Sequence, residues 1–600
     1  MRKRRRRFAA IAASVLAIVA LAWGIQVWRR PQVNILLITL DTTRADRIGC
    51  YGYRAAQTPT IDRLASQGTL FERALAPIPL TLPSHASMLT GLYPPEHGLI
   101  TNGHSTLPTT IPTLADSLSE KGYSTAAFVA AFVLGEKFGL SKGFDVYDDD
   151  LSTAAPNPDE LHRFRDGKFV TDNAIKWLAQ HAEHRADAPF FCWVHLYDPH
   201  DPYIEHRDQY GDRFAGRAYD AEIAYVDDQI KRLIDLLAST QLDQNTVIVI
   251  VGDHGEGLGD HGERLHGHML YESTVRVPLI VYRPGVVSAG NKVSTTVSLI
   301  DLYPTLLELT GGTPPKPVSG QTLVPLLEGK SAAERSCYVQ TDEPYFESLW
   351  SPLRSITNDR WKYVRTTKPE LYDLTADPGE RNNLIAERPE MVHELEEQLA
   401  DIEKQMTPAF GTSVADSEED RKMLESLGYT GGKVGGTTDG KPLSDIKDMI
   451  SALNRSQTAV ELIYEKKYAE AVEILEQVTE EVPNYFKALL NLGYSYLELK
   501  RYDEAIVPLE RALAIDPQSN RVLMNLGFVR LKQGELDKAF DIFSRTARLH
   551  PNIDGAQLYL GEIHQRQGRI EQARRHYRAC LQINPSNRAA QQALEFLSKY

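Results

Sequence analysis

Side chains capable of metal chemistry follow two apolar runs of the chain. Asp41 comes directly after residues 33–40, and Asp253 and His254 come soon after residues 246–251. Two carboxylates and an imidazole at strand tips suit a divalent cation. Each motif also has a simpler interpretation, because an aspartate after a strand often caps a helix and Gly-Asp-His-Gly is typical of a turn.

A third motif places a hydroxyl group at a predicted helix start. Thr81 opens the stretch TLPSHASMLTG, residues 81–91, where we expect a short helix. Backbone N–H groups at a helix start can hold an oxyanion. Coordination of the hydroxyl group by a metal ion would lower its pKa, which makes Thr81 a candidate nucleophile.

Buried strands are expected to position these side chains. In sheets of parallel strands the ligand lies beyond the carboxyl ends of the strands, where these polar residues fall. Residues 32–405 are therefore predicted to form an α/β domain. Continuous apolar runs, typical of parallel strands covered on both faces, occur at residues 33–40, 189–196, 246–251 and 277–282.

The C-terminal part repeats with a period of 34 residues. Leu-Gly pairs recur at 492–493, 526–527 and 560–561, and a proline ends each unit. The pattern resembles tetratricopeptide repeats. It predicts an all-α solenoid over residues 452–600 that ends in a capping helix and binds a protein partner. A plain helical scaffold without a ligand is the alternative. The glycine-rich segment within residues 406–451 is predicted to be a linker.

The N-terminus differs from the rest in charge. The first 30 residues carry eight basic residues and no acidic one, whereas the remainder has a net charge of −22. A basic segment (1–7) precedes an uncharged stretch (8–28) long enough to span the roughly 30 Å of bilayer hydrocarbon. We therefore expect a transmembrane anchor in a cytoplasmic membrane of the bacterial type. The N-terminus would lie inside, and the catalytic and repeat domains outside.

This N-terminus is also compatible with a cleaved signal peptide or a basic tail. Ala20-Leu21-Ala22 is similar to a signal-peptide cleavage site. A basic tail would bind nucleic acid, although the acidic remainder argues against a nucleic-acid partner. The four cysteines have no metal-like spacing, which excludes a disulfide framework and a zinc ribbon.

Together, the motifs of residues 33–405 resemble the sulfatase family of the alkaline-phosphatase superfamily. The resemblance implies a mixed sheet with flanking helices. The motifs that carry it are DTTRAD (41–46), TLPSHASMLTG (81–91), WVHLYDPHDPY (193–203), VGDHGEGLGDHGE (251–263), DLYPTLLEL (301–309) and ELYDLTADPGERNNL (370–384).

The resemblance also implies a metal site. Asp41, Asp253 and His254 would be ligands of one divalent metal ion, with Thr81 as nucleophile and fourth ligand. The ion would be Mn²⁺, Zn²⁺ or Ca²⁺. A set with one imidazole accepts Mn²⁺ or Zn²⁺ more naturally than Ca²⁺, which prefers oxygen ligands.

Further residues match family positions around the substrate. His195, His200 and His268 would bind the ester oxyanion or protonate the leaving group, and ordinary loop histidines are the alternative. Arg44 would bind the anion or pair with Asp46. Asn102 would line the pocket or cap a turn.

Two departures from the family pattern change the expected chemistry. Sulfatases oxidise a Cys or Ser to formylglycine, whose second hydroxyl expels sulfate, but this chain has Thr81 there. His85 replaces the family's arginine, so the support of the nucleophile must differ. A threonyl ester must be attacked at its central atom, which is familiar for phosphorus and less so for sulfur.

The predicted activity is therefore hydrolysis of an anionic sulfate or phosphate ester of a glycan, lipid or small molecule, and the threonine favours phosphorus. One alternative is a phosphotransferase that moves a lipid-derived head group to a glycan or lipid. The other is an assembly protein whose sulfatase-like domain is inactive.

Overall fold

The computed structural model describes residues 33–151, 165–185, 188–284, 287–413 and 443–598. The described chain has an α/β part followed by a helical repeat part. Its strands are β1 (Asn34–Leu40), β2 (Thr69–Leu75), β3 (Ser105–Thr106), β4 (Ser124–Phe128), β5 (Val146–Asp148), β6 (Phe190–Leu196), β7 (Thr246–Gly252), β8 (Arg276–Tyr282), β9 (Asn291–Val293), β10 (Val297–Ser298), β11 (Cys337–Thr341), β12 (Leu353–Thr357), β13 (Trp361–Arg365), β14 (Glu370–Asp373) and β15 (Thr412–Ser413).

The helices fall into two groups, one in the α/β part and one in the repeat part. Those of the α/β part are α1 (Pro59–Gln67), α2 (Thr81–Thr90), α3 (Pro94–His97), α4 (Leu114–Ser119), α5 (Gly167–His184), α6 (Arg207–Tyr210), α7 (Ala218–Ser239), α8 (Glu272–Val275), α9 (Leu302–Leu309), α10 (Val324–Leu327), α11 (Glu343–Ser348) and α12 (Pro389–Gln405). The repeat part contains α13 (Ile446–Tyr464), α14 (Tyr468–Glu481), α15 (Phe486–Glu498), α16 (Tyr502–Ile515), α17 (Asn520–Lys532), α18 (Leu536–Leu549), α19 (Asp554–Arg566), α20 (Ile570–Ile583) and α21 (Arg588–Leu597).

A mixed sheet of nine described strands forms the centre of the α/β part. Its order is β10-β2-β8-β7-β1-β6-β4-β5, and β9 pairs with β2. Strands β5, β4, β6, β1 and β7 run parallel. Residues 277–282 were predicted as a parallel strand, but β8 pairs antiparallel with both neighbours. The prediction was wrong because a run of buried apolar residues carries no information about strand direction.

The strands of a second, antiparallel sheet follow those of the large sheet along the chain. The second sheet has the order β11-β12-β13-β14, and α12 packs against it. The side chains of Tyr338, Ile356 and Leu371 form its core with Leu395 and Leu399 of α12.

The repeat helices pack in antiparallel pairs around small residues. A Cβ atom added at Gly493 would lie 2.5 Å from Leu509, and one added at Gly561 would lie 2.6 Å from Tyr577. Such distances are shorter than van der Waals contact, so the 34-residue glycine period allows the two helices of each pair to approach closely.

The first repeat helix also packs on the α/β part. Helix α13 begins at Ile446, inside the segment 406–451 predicted as a linker. One hydrophobic cluster contains Met269 and Trp350 of the α/β part together with Leu453 and Tyr485 of the repeat part. The two parts therefore share a core. Packing these side chains together removes apolar surface of both parts from water, which stabilises the contact.

The predicted membrane topology must be corrected. Within the described ranges, no helix combines the length and the apolar character that crossing a bilayer requires. The longest of them, α7, carries acidic and basic side chains along its length. Residues 8–28, where the transmembrane helix was predicted, lie outside the described residues. The prediction of a single-pass membrane protein with extracytoplasmic domains is accordingly withdrawn.

Candidate active site

Three neighbouring parallel strands bring the predicted metal ligands together. In the register of β1 and β7, Leu40 lies opposite Gly252, so the residues that follow these strands are adjacent. The Asp253 N–H group donates a hydrogen bond to the Leu40 carbonyl at 3.2 Å. The Asp41 N–H group donates to the carbonyl of Leu196, the last residue of β6, at 2.9 Å.

Asp41, Asp253, His254 and Thr81 form a compact buried cluster. The potential ligand atoms of the first three lie within 4.8 Å of one another. His254 Nε2 is 3.7 Å from Asp41 Oδ1, 3.6 Å from Asp253 Oδ2 and 3.3 Å from Thr81 Oγ1. All four residues are at most 1% exposed. Two carboxylates this close and this buried are stabilised either by a proton on one of them or by a bound cation.

The hydrogen bonds around the cluster fit a divalent cation. Among the described residues, none donates a hydrogen bond to either carboxylate oxygen of Asp41 or to Oδ2 of Asp253. Nδ1–H of His254 donates to the Gly255 carbonyl at 3.0 Å, which leaves the Nε2 lone pair directed at the cluster. A bound cation would require carboxylate oxygens that accept no hydrogen bond and an imidazole nitrogen with an available lone pair. The cluster provides both kinds of ligand atom.

Burial also shifts the pKa values of the cluster. It raises the pKa of Asp41, although the nearby His200 and His266 oppose this effect. Burial and the charge of Asp41 raise the pKa of Asp253 well above its usual range. Burial holds the pKa of His254 well below its usual range, which keeps its imidazole neutral as a metal ligand must be.

Thr81 begins helix α2, but the helix start does not provide the expected anion site. The Leu82 N–H group already donates to Asn102 Oδ1 at 2.9 Å, position 83 is a proline, and the Ser84 N–H group bonds to the Leu80 carbonyl. The expectation of N–H groups facing an oxyanion is therefore not met at positions 82–84. Asn102 is therefore placed against the first turn of the helix that begins with Thr81.

His85 supports Thr81 where the family has an arginine. Nδ1–H of His85 donates to the Thr81 carbonyl at 2.8 Å, and Nε2 lies 3.0 Å from Thr39 Oγ1. The Trp193 indole N–H donates to the same hydroxyl oxygen, so that hydroxyl donates to His85. Burial lowers the pKa of His85 to about 3, consistent with a neutral ring that is hydrogen-bonded on both sides.

His195 lies behind Asp41. The Ala130 N–H group donates to Nδ1 of His195 at 3.5 Å, which assigns the ring proton to Nε2. That atom lies 3.3 Å from Asp41 Oδ2. A protonated nitrogen beside a candidate metal-binding carboxylate orients the carboxylate, so this placement favours positioning of Asp41 over contact with a leaving group.

Arg44 and His268 are both engaged by protein partners. The Arg44 guanidinium donates to both carboxylate oxygens of Asp46 and to the carbonyls of residues 256 and 257, and it also pairs with Asp260. This placement favours the pairing alternative. Nε2 of His268 bonds to Glu347 Oε2 at 2.9 Å, and Nδ1 bonds to the His266 carbonyl at 3.3 Å.

His200 and a histidine that sequence reasoning missed lie beside the cluster. The ring of His266 packs against His254 with centroids 4.5 Å apart and meets the edge of His200 at 5.2 Å. Nδ1 of His266 is 3.2 Å from Glu256 Oε1. Burial lowers the pKa of His266, but the carboxylates of Glu256, Asp41 and Glu263 together outweigh this effect and raise the pKa overall. The density of His and Glu within residues 254–268 was the available signal for His266 and Glu256.

Comparison with known families identifies the α/β part of the chain. Residues 33–312 match the family described as Sulfatase, and residues 259–405 match "N-sulphoglucosamine sulphohydrolase, C-terminal". Residues 33–405 belong to the sulfatase family. The sulfatase domain is followed by matches to tetratricopeptide repeats at residues 462–526, 521–552 and 555–587. The chain is thus a sulfatase-like hydrolase with tetratricopeptide repeats.

Curated relatives are sulfatases of modest identity. The Delta 4,5-hexuronate-2-O-sulfatase of Bacteroides thetaiotaomicron is 25% identical over 58% of this chain and 84% of the relative. The N-acetylgalactosamine-6-O-sulfatase of the same species is 28% identical over 62% of this chain and 93% of the relative. The ulvan-active sulfatase of Formosa agariphila is 27% identical over 59% of this chain and 77% of the relative.

Solved structures share the fold of the sulfatase domain. A complex with the substrate D-glucosamine-2-N,6-O-disulfate superposes with a TM-score of 0.54 at 23% identity, covering 62% of this chain and 98% of that one. The phosphonate monoester hydrolase of Agrobacterium radiobacter superposes with a TM-score of 0.51 at 23% identity, covering 62% and 96%. At these identities the likeness concerns the fold.

Proposed function

We propose that this protein hydrolyses sulfate or phosphate esters through a covalent Thr81 intermediate, with a preference for phosphorus centres. The observation that carries the proposal is the position of Thr81 Oγ1. It lies at the start of α2, 3.3 Å from His254 Nε2, in a buried cluster with two carboxylates. A nucleophile buried among candidate metal ligands has the arrangement that ester hydrolysis requires.

The preference for phosphorus rests on the residue type. Threonine cannot form the aldehyde hydrate whose second hydroxyl releases sulfate from formylglycine. The threonyl ester must therefore be cleaved by attack of water at its central atom, which a phosphoryl group accepts readily. Sulfated sugars remain candidate substrates, because curated relatives of the sulfatase domain are named for them.

A divalent cation held by Asp41, Asp253, His254 and Thr81 would lower the pKa of the Thr81 hydroxyl and neutralise charge on the ester. Thr81 Oγ1, after losing its proton to water, attacks the central atom and displaces the leaving oxygen. We assign protonation of that oxygen to His266, because Glu256 lies 3.2 Å from its Nδ1 and favours the protonated ring. Water then attacks the central atom of the threonyl ester and gives a proton to the neutral His266 ring. Thr81 Oγ1 leaves and takes up a proton from solvent, which restores the hydroxyl group.

The other histidines have supporting roles in this proposal. His85 holds the backbone carbonyl of Thr81, and His195 orients Asp41. His200 lies edge-on to His266 and contributes to the polar wall around the ester. The tetratricopeptide repeats add a helical surface suited to a protein segment.

Substitution of Thr81 tests the proposal. The purified full-length protein is titrated with Mn²⁺, Zn²⁺ and Ca²⁺ and assayed with p-nitrophenyl phosphate, bis-p-nitrophenyl phosphate and p-nitrophenyl sulfate. We expect metal-dependent turnover that is greatest with a phosphorus ester. Thr81→Ala should lower kcat by about 1000-fold or more, because it removes the nucleophile, whereas Thr81→Ser should retain activity.

Thr90→Ala is the matched control. Thr90 has the same residue type, lies in the same helix and is equally buried, but its hydroxyl group bonds to the Ala86 carbonyl at 2.7 Å. Its substitution should leave kcat within a few-fold of the wild-type value. Equal turnover by Thr81→Ala and the wild-type protein would exclude the threonine mechanism.

A further inference from the structure

The active-site loop, residues 255–268, connects the metal cluster to the repeat part. It follows His254 directly and carries Glu256, His266 and His268. Its arms are joined by backbone hydrogen bonds between residues 257 and 265 and between 258 and 264. The position of the His266 ring against His254 therefore depends on what holds this loop in place.

Helix α13 of the repeat part holds the outer end of the loop. Nδ2 of Asn454 donates a hydrogen bond to the Gly262 carbonyl at 2.6 Å. Glu461, two turns further along the same helix, forms an ion pair with Arg264. Both contacts join a repeat helix to the loop rather than to the body of the sulfatase domain.

Lys487 of helix α15 holds the inner end of the loop. Its ammonium group forms an ion pair with Glu347, whose other carboxylate oxygen is 2.9 Å from His268 Nε2. His268 in turn bonds through Nδ1 to the His266 carbonyl. The side chains of Lys487, Glu347 and His268 are 12%, 3% and 8% exposed, so this chain of charged groups is largely shielded from water.

The ion pair determines the charge of Glu347. Burial raises the pKa of this carboxyl group, but Lys487 and His268 together lower it to about 2. The neighbouring Glu343 has a raised pKa, through burial and the charge of Glu347. Without Lys487, the buried carboxylate beside Glu343 would keep only its bond to His268 and would be held in place less firmly.

We infer that Lys487 is a positioning residue supplied to the sulfatase site by the repeat part, and that the repeats thereby hold the active-site loop in its working conformation. The link to turnover rests on the proposed function, because it operates through His266. A protein segment that moves α15 on binding the repeats would consequently alter hydrolysis.

The test compares three full-length variants. Lys487→Met removes the charge while keeping the length of the side chain, and Lys487→Arg restores the charge. Lys368→Met is the matched control, because Lys368 also pairs across the two parts, with Asp448, but contacts neither the loop nor Glu347. Hydrogen–deuterium exchange is followed on peptides covering residues 255–268, and kcat and KM are measured on the preferred ester.

We expect Lys487→Met to exchange the loop amides about tenfold faster or more and to lower kcat by about 10- to 100-fold with little change in KM, as loss of outer-shell support does. Lys487→Arg should restore both readouts, and Lys368→Met should change neither. Unchanged loop exchange in Lys487→Met would overturn the inference. Failure of the wild-type protein to hydrolyse any ester would refute the proposed function, while loop exchange still decides whether Lys487 holds the loop.

Discussion

Tautomers distinguish the roles of the buried imidazoles around the cluster. Nδ1–H of His254 bonds to a backbone carbonyl and leaves Nε2 for a ligand role, whereas Nε2 of His195 carries the ring proton and lies 3.3 Å from Asp41 Oδ2. His268 is bonded at both nitrogens. His266 is the ring that is paired with a carboxylate and packed against His254. Identical side chains thus differ because their hydrogen-bond partners differ.

Replacement of His266 tests its role as general acid. His266→Asn should lower kcat by about 100-fold or more for an alkyl phosphate, whose leaving oxygen needs a proton. The loss for p-nitrophenyl phosphate should be much smaller, because p-nitrophenolate leaves without protonation. Steady-state kinetics on both esters provide the measurement.

His181→Asn is the control for this prediction. His181 is also a buried imidazole, but its Nε2 bonds to the Ala188 carbonyl, away from the cluster. Its substitution should affect both esters equally. Equal losses on the two esters in His266→Asn would assign His266 a positioning role instead.

At the level of elements, runs of apolar residues predicted where the strands lie but not in which direction each strand runs. The run predicted at 189–196 is found as Phe190–Leu196, and the run at 246–251 as Thr246–Gly252. Direction was missed for β8, because burial on both faces produces the same apolar run in either orientation. The helix at Thr81 was anticipated from its sequence, but the hydrogen bond from the Leu82 N–H group to Asn102 depends on a residue 20 positions away.

The repeat glycines allow a prediction at this scale. A Cβ atom at Gly527 would lie 2.8 Å from the ring of Phe543, which is fully buried. Overpacking costs roughly 1–3 kcal/mol, and the better helix propensity of alanine offsets about 1 kcal/mol of it. We expect Gly527→Ala to lower the free energy of unfolding by about 1 kcal/mol in urea titrations.

Gly555→Ala provides the comparison. A Cβ atom there would meet only the end of the flexible Met524 side chain, at 3.0 Å. This variant should be neutral or slightly stabilised. A destabilisation as large as that of Gly527→Ala would show that helix packing is not the reason for the glycine period.

At the level of the whole molecule, the sulfatase domain and the repeats share structure. A cleft of about 1150 Å³ between them is lined by Thr101 and Glu347 on one side and Phe486 and Arg521 on the other. The rings of Trp350 and Tyr485 pack with centroids 4.9 Å apart within the shared cluster. We therefore expect the sulfatase domain and the first repeats to unfold together.

Trp350→Ala tests this coupling. Removing a buried tryptophan side chain costs about 3–5 kcal/mol, and here the loss falls on the contact between the two parts. Scanning calorimetry should show the repeats unfolding at a lower temperature than the sulfatase domain. Trp361→Ala, in a half-buried position outside the shared cluster, should leave the transitions joined. A single unshifted transition in Trp350→Ala would contradict the shared core.

The sequence by itself determined which residues are capable of chemistry and which elements carry them. Apolar runs, the 34-residue period and the motifs around Asp41, Thr81 and Asp253 are local patterns, so they can be read without the fold. Only the tertiary structure decided the tautomers of the histidines, the placement of His266 beside His254 and Glu256, and the contact of Lys487 with Glu347, 140 positions apart. These features depend on which distant groups become neighbours on folding, and no local pattern encodes that.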